Sequence, residues 1–367
     1  MSAEKFYQLA LTLIPGIGHS TIKTLISYVG SAEQVFKQPN SKLLKIPGIG
    51  EKTVESIRRQ NILGKAEEQI QLAEKSGVQI LFYTDQDYPH RLKQIYDAPS
   101  LLFYKGTASL NHHRIISIVG TRQATAYGKR FLDSLISELQ QHDILVVSGL
   151  AYGIDVAAHK AALKYNTPTI GVMATGVDII YPAIHRKYAE KMLDKGGILS
   201  EYPLGTKPDP ARFPARNRII AGLADATLVV EAAEKGGALI TADLANGYDR
   251  DVLALPGDIN SPVSVGTNNL IKKNVAQMIT SADDLSFYLQ WNKDDKVEVT
   301  PQNLDRDLFE QDEWQVINTL EQNGRVLHID ELSWKSQQQV SKLAGILLNL
   351  EFKGAINSLP GKKFALK

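Results

Sequence analysis

Cysteine is absent from this 367-residue sequence, which excludes disulfide bonds, thiolate zinc sites, iron–sulfur clusters and a cysteine nucleophile. The sequence also lacks an apolar run that approaches the roughly 20 residues needed to cross a bilayer. Residues 1–6 show no basic stretch leading into an apolar core, so no signal peptide is predicted. We therefore expect a cytoplasmic, soluble protein with no membrane partner.

An excess of charge of one sign is missing as well. Lys and Arg together number 41 and Asp and Glu 40, which leaves a formal net charge of +1. A uniformly basic surface is therefore excluded, and a nucleic-acid partner would need locally clustered charge. Hydrophobic residues make up 43% and charged residues 22%, values of a globular chain that exclude wholesale disorder. The length predicts about two to four domains.

Several motifs of common enzymes are absent too. The sequence contains no G-x-G-x-x-G after a predicted strand, no P-loop, no G-x-S-x-G and no H-E-x-x-H. Its eight histidines show no metal-ligand spacing, so neither a metal nor a cofactor is predicted. Ser148, Asp155 and His159 could form a hydrolase triad, but a serine at a helix start is more economically explained as a cap or a phosphate ligand.

Residues 1–70 are predicted to form an all-α, SAM-like helix-hairpin-helix domain. The segment Leu13–Gly18 (LIPGIG) recurs 32 residues later as Lys45–Gly50 (KIPGIG), and helical spacing follows each copy. The glycines permit a sharp turn, and N–H groups at such a hairpin suit a phosphate. A DNA-binding role and a purely structural role both stay open, because only a few basic residues lie near the hairpins: Lys23, Lys52, Arg58 and Arg59.

Residues 71–290 are predicted to form an α/β domain with a Rossmann-like, doubly wound, mostly parallel sheet. Short apolar runs alternate with amphipathic segments such as Tyr127–Leu139 and Val156–Tyr165, which favours strands buried between helices. Ligands of such sheets bind beyond the carboxyl ends of the strands. The predicted strands are Val78–Tyr83, Leu101–Tyr104, Ile115–Val119, Ile144–Ser148, Thr169–Met173, Ile198–Glu201, Thr227–Ala232 and Val252–Leu255.

Residues 291–310 are predicted to form an acidic linker, and residues 311–367 a winged-helix domain. Acidic residues clearly outnumber basic ones over 291–313, as is typical of a solvated tether. Nucleic-acid binding and protein contact both stay open for the last domain, because its third helix offers only Lys335 and Lys342. Its predicted elements are helices at Trp314–Leu320, Ile329–Ser333 and Gln337–Leu350, then a hairpin of Phe352–Asn357 and Lys362–Leu366 across Leu359-Pro360-Gly361.

Loops suited to phosphate follow several predicted strands. Gly120-Thr121-Arg122 combines close backbone approach, a hydroxyl and a bidentate guanidinium. The segment Arg212–Arg218 contains three arginines and Phe213, which can stack on a base for ~1–3 kcal/mol. We expect these loops to converge on one sheet edge, although some arginines could instead pair with buried carboxylates such as Glu231. The candidate DNA-binding residues are Gly120, Thr121, Arg122, Ser148, Gly149, Arg212, Phe213, Arg216, Asn217, Arg218, Lys235, Gly236 and Gly237.

Taken in chain order, these motifs resemble a known family. They are GTR at 120–122, SGLAYGID at 148–155, FPARNRIIAGL at 213–223 and ALPG at 254–257. Over residues 80–285 the chain strongly resembles the DNA-processing protein A family, also called Smf. The predicted flanking domains fit the fuller architecture of that family.

The resemblance implies a non-catalytic protein that binds and protects single-stranded DNA, forms a homodimer through its Rossmann-like domain, and loads the RecA recombinase during natural transformation and recombination. It also implies that Arg122 holds a backbone phosphate, that Ser148 and Gly149 line the same pocket, and that Lys235 closes it. The other strand contacts it implies come from Phe213, Asn217 and Arg218. Two departures from the family pattern are Gly236, where serine is common, and an asparagine in Asn268–Ala276, where glycine is usual.

Two functions of other classes are alternatives to DNA binding, and a sequence feature argues against each. A nucleotide-binding or phosphoribohydrolase-like enzyme of the same sheet type would carry Pro-Gly-Gly-x-Gly-Thr-x-x-Glu. The corresponding segment here is Lys235–Asp243 (KGGALITAD), in which the proline, the third glycine and the distal glutamate are replaced. A structural adaptor working only through its end domains would not need the arginine-rich segment.

Overall fold

The computed structural model describes residues 2–58, 61–291, 306–323, 326–359 and 363–366. The chain divides into two compact units, Met1–Asn292 and Lys293–Lys367. No helix in the described part of the chain is long and apolar enough to span a membrane. Most of the predicted acidic linker, together with Arg59, Pro360 and Gly361, lies outside the described residues.

The N-terminal domain is all-α, as the repeat predicts. Gly16 and Gly48 occupy the same position in the two hairpins, and each has a φ of 80°, a left-handed conformation that favours glycine. Apolar side chains of both repeats, such as Ile22 and Val54, lie in one buried cluster. The helices are α1 (Ala3–Thr12), α2 (His19–Val29), α3 (Ala32–Lys37), α4 (Asn40–Leu43), α5 (Glu51–Arg58) and α6 (Asn61–Ser76).

A nine-stranded sheet forms the centre of the larger unit. Each of the eight predicted apolar runs overlaps a strand, and a two-residue edge strand that was not predicted completes the sheet. The strands are β1 (Gln79–Phe82), β2 (Leu101–Gly106), β3 (Arg114–Val119), β4 (Ile144–Ser148), β5 (Thr169–Val172), β6 (Gly197–Ser200), β7 (Ala226–Val229), β8 (Asp251–Ala254) and β9 (Gln277–Met278).

The order of the strands in the sheet is β1-β2-β6-β5-β4-β3-β7-β8-β9. The pairs β1·β2 and β2·β6 are antiparallel, and the pairs from β6 across to β9 are parallel. Strands β4, β5 and β6 follow one another on one side of β3, and β7 then pairs with the other side of β3. The connections therefore diverge between β3 and β7, which is where open α/β sheets bind ligands.

Helices cover the sheet and leave its strand ends accessible. Apolar side chains of β3 and β4 pack against those of α8 and α9 in one cluster, which buries both elements. The helices are α7 (His90–Lys93), α8 (Ala126–Leu139), α9 (Ile154–Lys164), α10 (Arg186–Met192), α11 (Arg212–Leu223), α12 (Gly237–Gly247), α13 (Val265–Lys272) and α14 (Ala282–Tyr288), with 3-10 turns at Gln140–His142 and Ala183–His185.

One departure from the family pattern is explained by backbone geometry. Helix α13 ends at Lys272, and Asn274 follows with a φ of 55°. This left-handed conformation suits glycine, and asparagine is among the few other residues that adopt it readily. The asparagine therefore ends the helix as a glycine would.

The first hairpin repeat packs on the sheet domain within the same compact unit. His19 opens α2, and its Nε2 lies 2.8 Å from Oε2 of Glu201, which follows β6. Its Nδ1 lies 2.9 Å from Oγ of Ser100. Burial lowers the pKa of Lys23, with a smaller effect from the nearby Arg218, and its ammonium lies 4.1 Å from the ring centre of Tyr83. Lys23, the lysine nearest the first hairpin, is therefore partly buried and contacts Tyr83 of the sheet domain.

The second repeat differs because its helix begins with exposed Glu51 and Lys52. Arg58, at the end of α5, donates hydrogen bonds to the carbonyls of Phe36 and Gln38 and to Oδ1 of Asn40 at 2.9 Å. Arg58 therefore stabilises the helical domain, whereas Lys45 and Lys52 of this hairpin are exposed.

The C-terminal unit contains three helices and a three-stranded sheet in its described part. Its strand order is β10-β12-β11, and all pairs are antiparallel. Val316, Leu320 and Leu347 lie in its buried cluster. Its elements are a 3-10 turn at Arg306–Leu308, α15 (Gln311–Gln322), β10 (Val326–His328), α16 (Ile329–Ser336), α17 (Val340–Phe352), β11 (Ile356–Leu359) and β12 (Lys363–Leu366).

Candidate nucleic-acid interface

The loops that follow β3 and β7 lie side by side at the point where the connections diverge. The two strands pair in register up to Val119 and Val229. The Thr121 amide then donates to the carbonyl of Glu231 at 2.7 Å, so the contact continues past the strand ends. The predicted convergence of Gly120-Thr121-Arg122 with the loop that carries Lys235 is therefore present.

A buried carboxylate fixes the first loop. Glu231 is 2% exposed and accepts hydrogen bonds from the amide and the hydroxyl of Thr125. The Thr125 hydroxyl in turn caps α8 by accepting from the amides of Tyr127 and Gly128. Glu231 thus holds a helix start in place, rather than pairing with an arginine as the alternative hypothesis suggested.

The end of β4 forms the floor between these loops. Ser148 is fully buried and donates to the carbonyl of Ile118 at 2.6 Å. A Cβ at Gly149 would lie 2.6 Å from both the Arg216 guanidinium and the Asp155 carboxylate, so a larger residue there would collide with them. Ser148 and Gly149 do lie at the predicted pocket, but this geometry gives both a supporting position beneath its surface.

Arg216 is the centre of that floor. It is 4% exposed and donates to the carbonyls of Gly149, at 2.8 Å, and Val172. Burial lowers the pKa of Arg216 to about 10, although attraction to Asp155 opposes the shift. Burial likewise raises the pKa of Asp155, against the effect of Arg216. Arg216 thus holds the ends of β4 and β5 together, and its predicted contact with DNA is not available in this arrangement.

The segment predicted as an arginine-rich loop is helical instead. Residues Arg212–Leu223 form α11, in which Arg218 lies on a different face from Arg212 and Arg216. Arg218 pairs with the buried Glu201 and donates to the carbonyl of Asp97 at 2.9 Å. Nδ2 of Asn217 donates to the carbonyl of Gly237 at 3.2 Å, which ties α11 to the start of α12. Arg218 and Asn217 therefore also support the structure.

The beginning of α11 is more accessible. Arg212 is partly exposed, donates to the carbonyl of Lys207 at 2.7 Å, and lies 5.2 Å from the ring centre of Tyr202. The Phe213 ring is partly exposed and lies 5.6 Å from that of Tyr181. The start of the helix therefore presents an aromatic pair beside a guanidinium, which is a surface on which a base can stack.

Two cations at the crevice have no internal partner. Arg122 and Lys235 are exposed, and neither makes a hydrogen bond or an ion pair with any other residue in the described ranges. Gly236 and Gly237 are exposed next to Lys235, and no side chain caps the start of α12. An uncapped helix start that follows one unpaired cation, beside a loop that carries another, is well suited to an anion.

Ser148, Asp155 and His159 do not form a hydrogen-bonded triad. The Ser148 proton is directed to a backbone carbonyl, and Nδ1 of the fully buried His159 lies 2.7 Å from Oγ1 of Thr169. Burial lowers the pKa of His159 to about 3. His159 is therefore a neutral core residue at neutral pH.

In the winged-helix unit, Lys335, Lys342 and Lys353 each form an ion pair with an acidic residue of the same unit. Lys335 pairs with Glu331 at 2.9 Å, and Lys353 pairs with Glu313 at 2.6 Å. Lys342 pairs with Asp312. Two of these acidic partners, Asp312 and Glu313, lie on α15. On α17, Leu348 is 54% and Phe352 82% exposed, and they lie among the exposed polar residues Asn349 and Glu351. Nucleic-acid binding and protein contact therefore both stay open for this domain.

Comparison with known families identifies all three predicted domains. The family of DNA recombination-mediator protein A matches residues 79–290, more than half of the chain. The chain belongs to this family. A SAM-like helix-hairpin-helix tandem matches residues 9–60, and the DprA winged-helix domain matches residues 300–362. The resemblance and the fold class predicted from the sequence are confirmed.

Individual relatives agree with this assignment. The Smf protein of Synechocystis sp. is 39% identical over 77% of this chain and 72% of its own length. The crystal structure of DNA processing protein A from Streptococcus pneumoniae is 32% identical and has a TM-score of 0.60 over 78% of this chain and 97% of that one. The structure of DNA processing protein A from Helicobacter pylori, which was studied for its single-stranded DNA binding mode, is 31% identical to this chain. Its TM-score is 0.53 over 58% of this chain and 95% of that one.

The residues that hold the candidate site together were not predicted from the sequence in that role. These include Glu231 as the partner of Thr125, and the junction formed by His19, Glu201 and Arg218. A local signal did exist for Arg216, which stands three, four and seven residues before the apolar Ile219, Ile220 and Leu223. That spacing places Arg216 on the buried face of a helix.

Proposed function

We propose that this protein binds single-stranded DNA, without catalytic turnover, at the crevice between the ends of β3 and β7. The observation that carries the proposal is the pair of exposed cations without internal partners in the described chain, Arg122 and Lys235, on neighbouring loops, with Lys235 just before the uncapped start of α12. Arg122 offers a guanidinium to a backbone phosphate, and Lys235 neutralises a neighbouring one.

Stacking supports a single strand over a duplex. Phe213 and Tyr181 form a partly exposed aromatic pair at the start of α11, and Arg212 lies nearby over Tyr202. Such a surface accepts unpaired bases, whereas bases within a duplex are already stacked on one another. The membership of the family and the Helicobacter pylori relative point to the same ligand.

The role we propose within this function is to protect incoming DNA and to load the RecA recombinase onto it during natural transformation and recombination, with the protein acting as a homodimer. Family membership supports this role. Non-catalytic action is supported by the internal use of the Ser148 hydroxyl and of His159.

The test is a salt-titrated binding assay that compares labelled oligo-dT with a duplex of equal length. We expect tighter binding of oligo-dT and a steep loss of affinity with salt. Arg122→Ala should weaken binding at least tenfold and make the log–log salt slope shallower by about 0.7, because one phosphate contact on a single strand is lost.

Arg130→Ala is the matched control, because Arg130 is an exposed arginine on α8 outside the crevice. Equal affinity of Arg122→Ala and Arg130→Ala would contradict the crevice as the DNA site. RecA nucleation on oligo-dT, with and without the protein, then tests recombinase loading, and light scattering tests the dimer.

A further inference from the structure

A groove of about 660 Å³ adjoins the crevice and lies among α8, α9 and α10. Arg122 lines one end of it, together with Tyr152 and Gly153 from the loop before α9. From there the groove follows α9, which extends about 15 Å between Ile154 and Lys164 at the usual rise of a helix. The groove is therefore continuous with the proposed DNA site and long enough for several extended nucleotides.

The charge of the groove is mainly positive. Lys129, Lys160 and Lys187 line it, are exposed, and form no ion pair with any residue that the structure describes. The acidic side chain in the lining is Asp133, and Lys164 neutralises it at 2.8 Å. The unpaired lysines therefore leave a net positive surface beside the one that carries Arg122.

Aromatic rings lie between these lysines. Tyr152 is 50% exposed, and its ring lies 5.1 Å from that of His185. The ring centre of Tyr188 lies 4.8 Å from the ammonium of Lys160 and 5.5 Å from that of Lys187. Exposed aromatic rings interleaved with cations are what sequence-independent binding of a single strand requires, because bases stack on rings and phosphates lie by the cations.

The opposite side of the Arg122 loop has different chemistry. A hollow of about 430 Å³ there is lined by Glu231 and Asp258, together with Tyr127 and Pro256. Carboxylates repel a phosphate backbone, so a strand that leaves Arg122 encounters attraction on one side and repulsion on the other. This contrast determines the direction of the path.

We propose that the groove is a second subsite for single-stranded DNA, in which nucleotides beyond those held at the crevice pass Arg122 and lie along α9. Lys160 and Lys187 contact their phosphates, and Tyr152 and Tyr188 stack on their bases. This inference rests on the proposed function, since it extends the same strand from the crevice. It predicts that the groove matters only to DNA long enough to reach it.

The experiment measures the affinity of the full chain for oligo-dT of increasing length, at several salt concentrations. The test variant is Lys160→Gln combined with Lys187→Gln. Its matched control is Lys65→Gln combined with Lys75→Gln, which removes the same charge from exposed positions on α6. Circular dichroism checks that both variants fold.

For long oligo-dT we expect the test variant to lose on the order of tenfold in affinity, and its salt slope to become shallower by about 1.4, since two phosphate contacts are removed. The shortest oligonucleotides that bind should be bound equally by the test variant and the control. Tyr152→Leu should also weaken binding of long oligo-dT only, because it replaces an exposed ring by an aliphatic side chain.

A groove variant that matches its control at every length would overturn the second subsite. A loss that is the same at every length would overturn it too, because the lysines would then act on the crevice or on the general field of the protein. Failure of the proposed function itself has a different signature: the unaltered protein would show no preference for oligo-dT, or Arg122→Ala would have no effect.

Discussion

Arginines in two regions of the sheet domain are used in opposite ways. The loop after β3 exposes Arg122 and gives it no internal partner in the described chain, whereas α11 buries Arg216 and pairs Arg218 with Glu201. Both regions contribute residues to the motifs that resemble DNA-binding family members. The comparison teaches that a shared motif combines residues that contact a ligand with residues that hold those contacts in place.

The largest expected effect tests the buried side of this comparison. Arg216→Ala should lower the free energy of unfolding by about 3 kcal/mol, because the carbonyls of Gly149 and Val172 lose their donor and Asp155 loses its nearest opposing charge. Urea denaturation measures the change. Arg122→Ala is the control and should stay within about 0.5 kcal/mol of the unaltered protein. Equal stability of the two variants would remove the distinction between the regions.

The next effect tests whether Arg218 belongs to the supporting group. Arg218→Ala should destabilise the protein by about 1–3 kcal/mol, because the buried Glu201 would lose the guanidinium and keep only His19 as its side-chain partner. Glu201→Gln should remove much of that loss when the two changes are combined, which a double-mutant cycle measures. Strictly additive effects would mean that the pair is not coupled.

The pH dependence of the free energy of unfolding tests the role of His159 in the core behind Arg216. Burial lowers the pKa of His159 to about 3 in the folded protein, with smaller contributions from His185 and Arg216. The unfolded chain therefore binds the extra proton first, and the stability contributed by neutral His159 is present above about pH 6.5 and declines as the pH falls toward 3. Urea denaturation at several pH values should show a weaker decline in His159→Gln, which cannot take up that proton. Parallel pH profiles of the two proteins would contradict this role.

The smallest expected effect concerns the second exposed cation. Lys235→Ala should weaken oligo-dT binding a few-fold and reduce the salt slope by about 0.7, since a lysine contributes one charge without a bidentate contact. Its stability should match that of Lys65→Ala, an equivalent change on α6. A loss of DNA affinity as large as that of Arg122→Ala would show that the two cations are equally important.

Much of the fold could be predicted because burial leaves a pattern in the chain. Strands covered on both faces read as continuous runs of Val, Ile and Leu, and the repeated LIPGIG and KIPGIG segments mark the hairpins. Strand β9 was missed because it has two residues, both exposed, and carries no such run. In the winged helix, β10 (Val326–His328) was not predicted, and the predicted strand Phe352–Asn357 begins at the last residue of α17, because short strands and helix ends carry weak signals.

The site could be predicted only in part. The sequence indicated which loops meet, since the carboxyl ends of neighbouring parallel strands lie at one edge, and the contact of Thr121 with Glu231 follows from that rule. The groove lysines were missed because Lys160 and Lys187 belong to different helices, α9 and α10, with no shared motif. Only packing brings them together with Arg122.

The sequence by itself determined the class of each domain, the strands, and the family, because these depend on local periodicity and on ordered motifs. The tertiary structure alone decided which groups surround each arginine. Arg122 and Arg216 are chemically identical, but one lies in a loop at the surface and the other on the inner face of α11, where backbone carbonyls and Asp155 surround it. Desolvation and internal hydrogen bonding depend on the whole fold and not on one residue. They distinguish Arg216, which supports the site, from Arg122, which is exposed and which we propose contacts DNA.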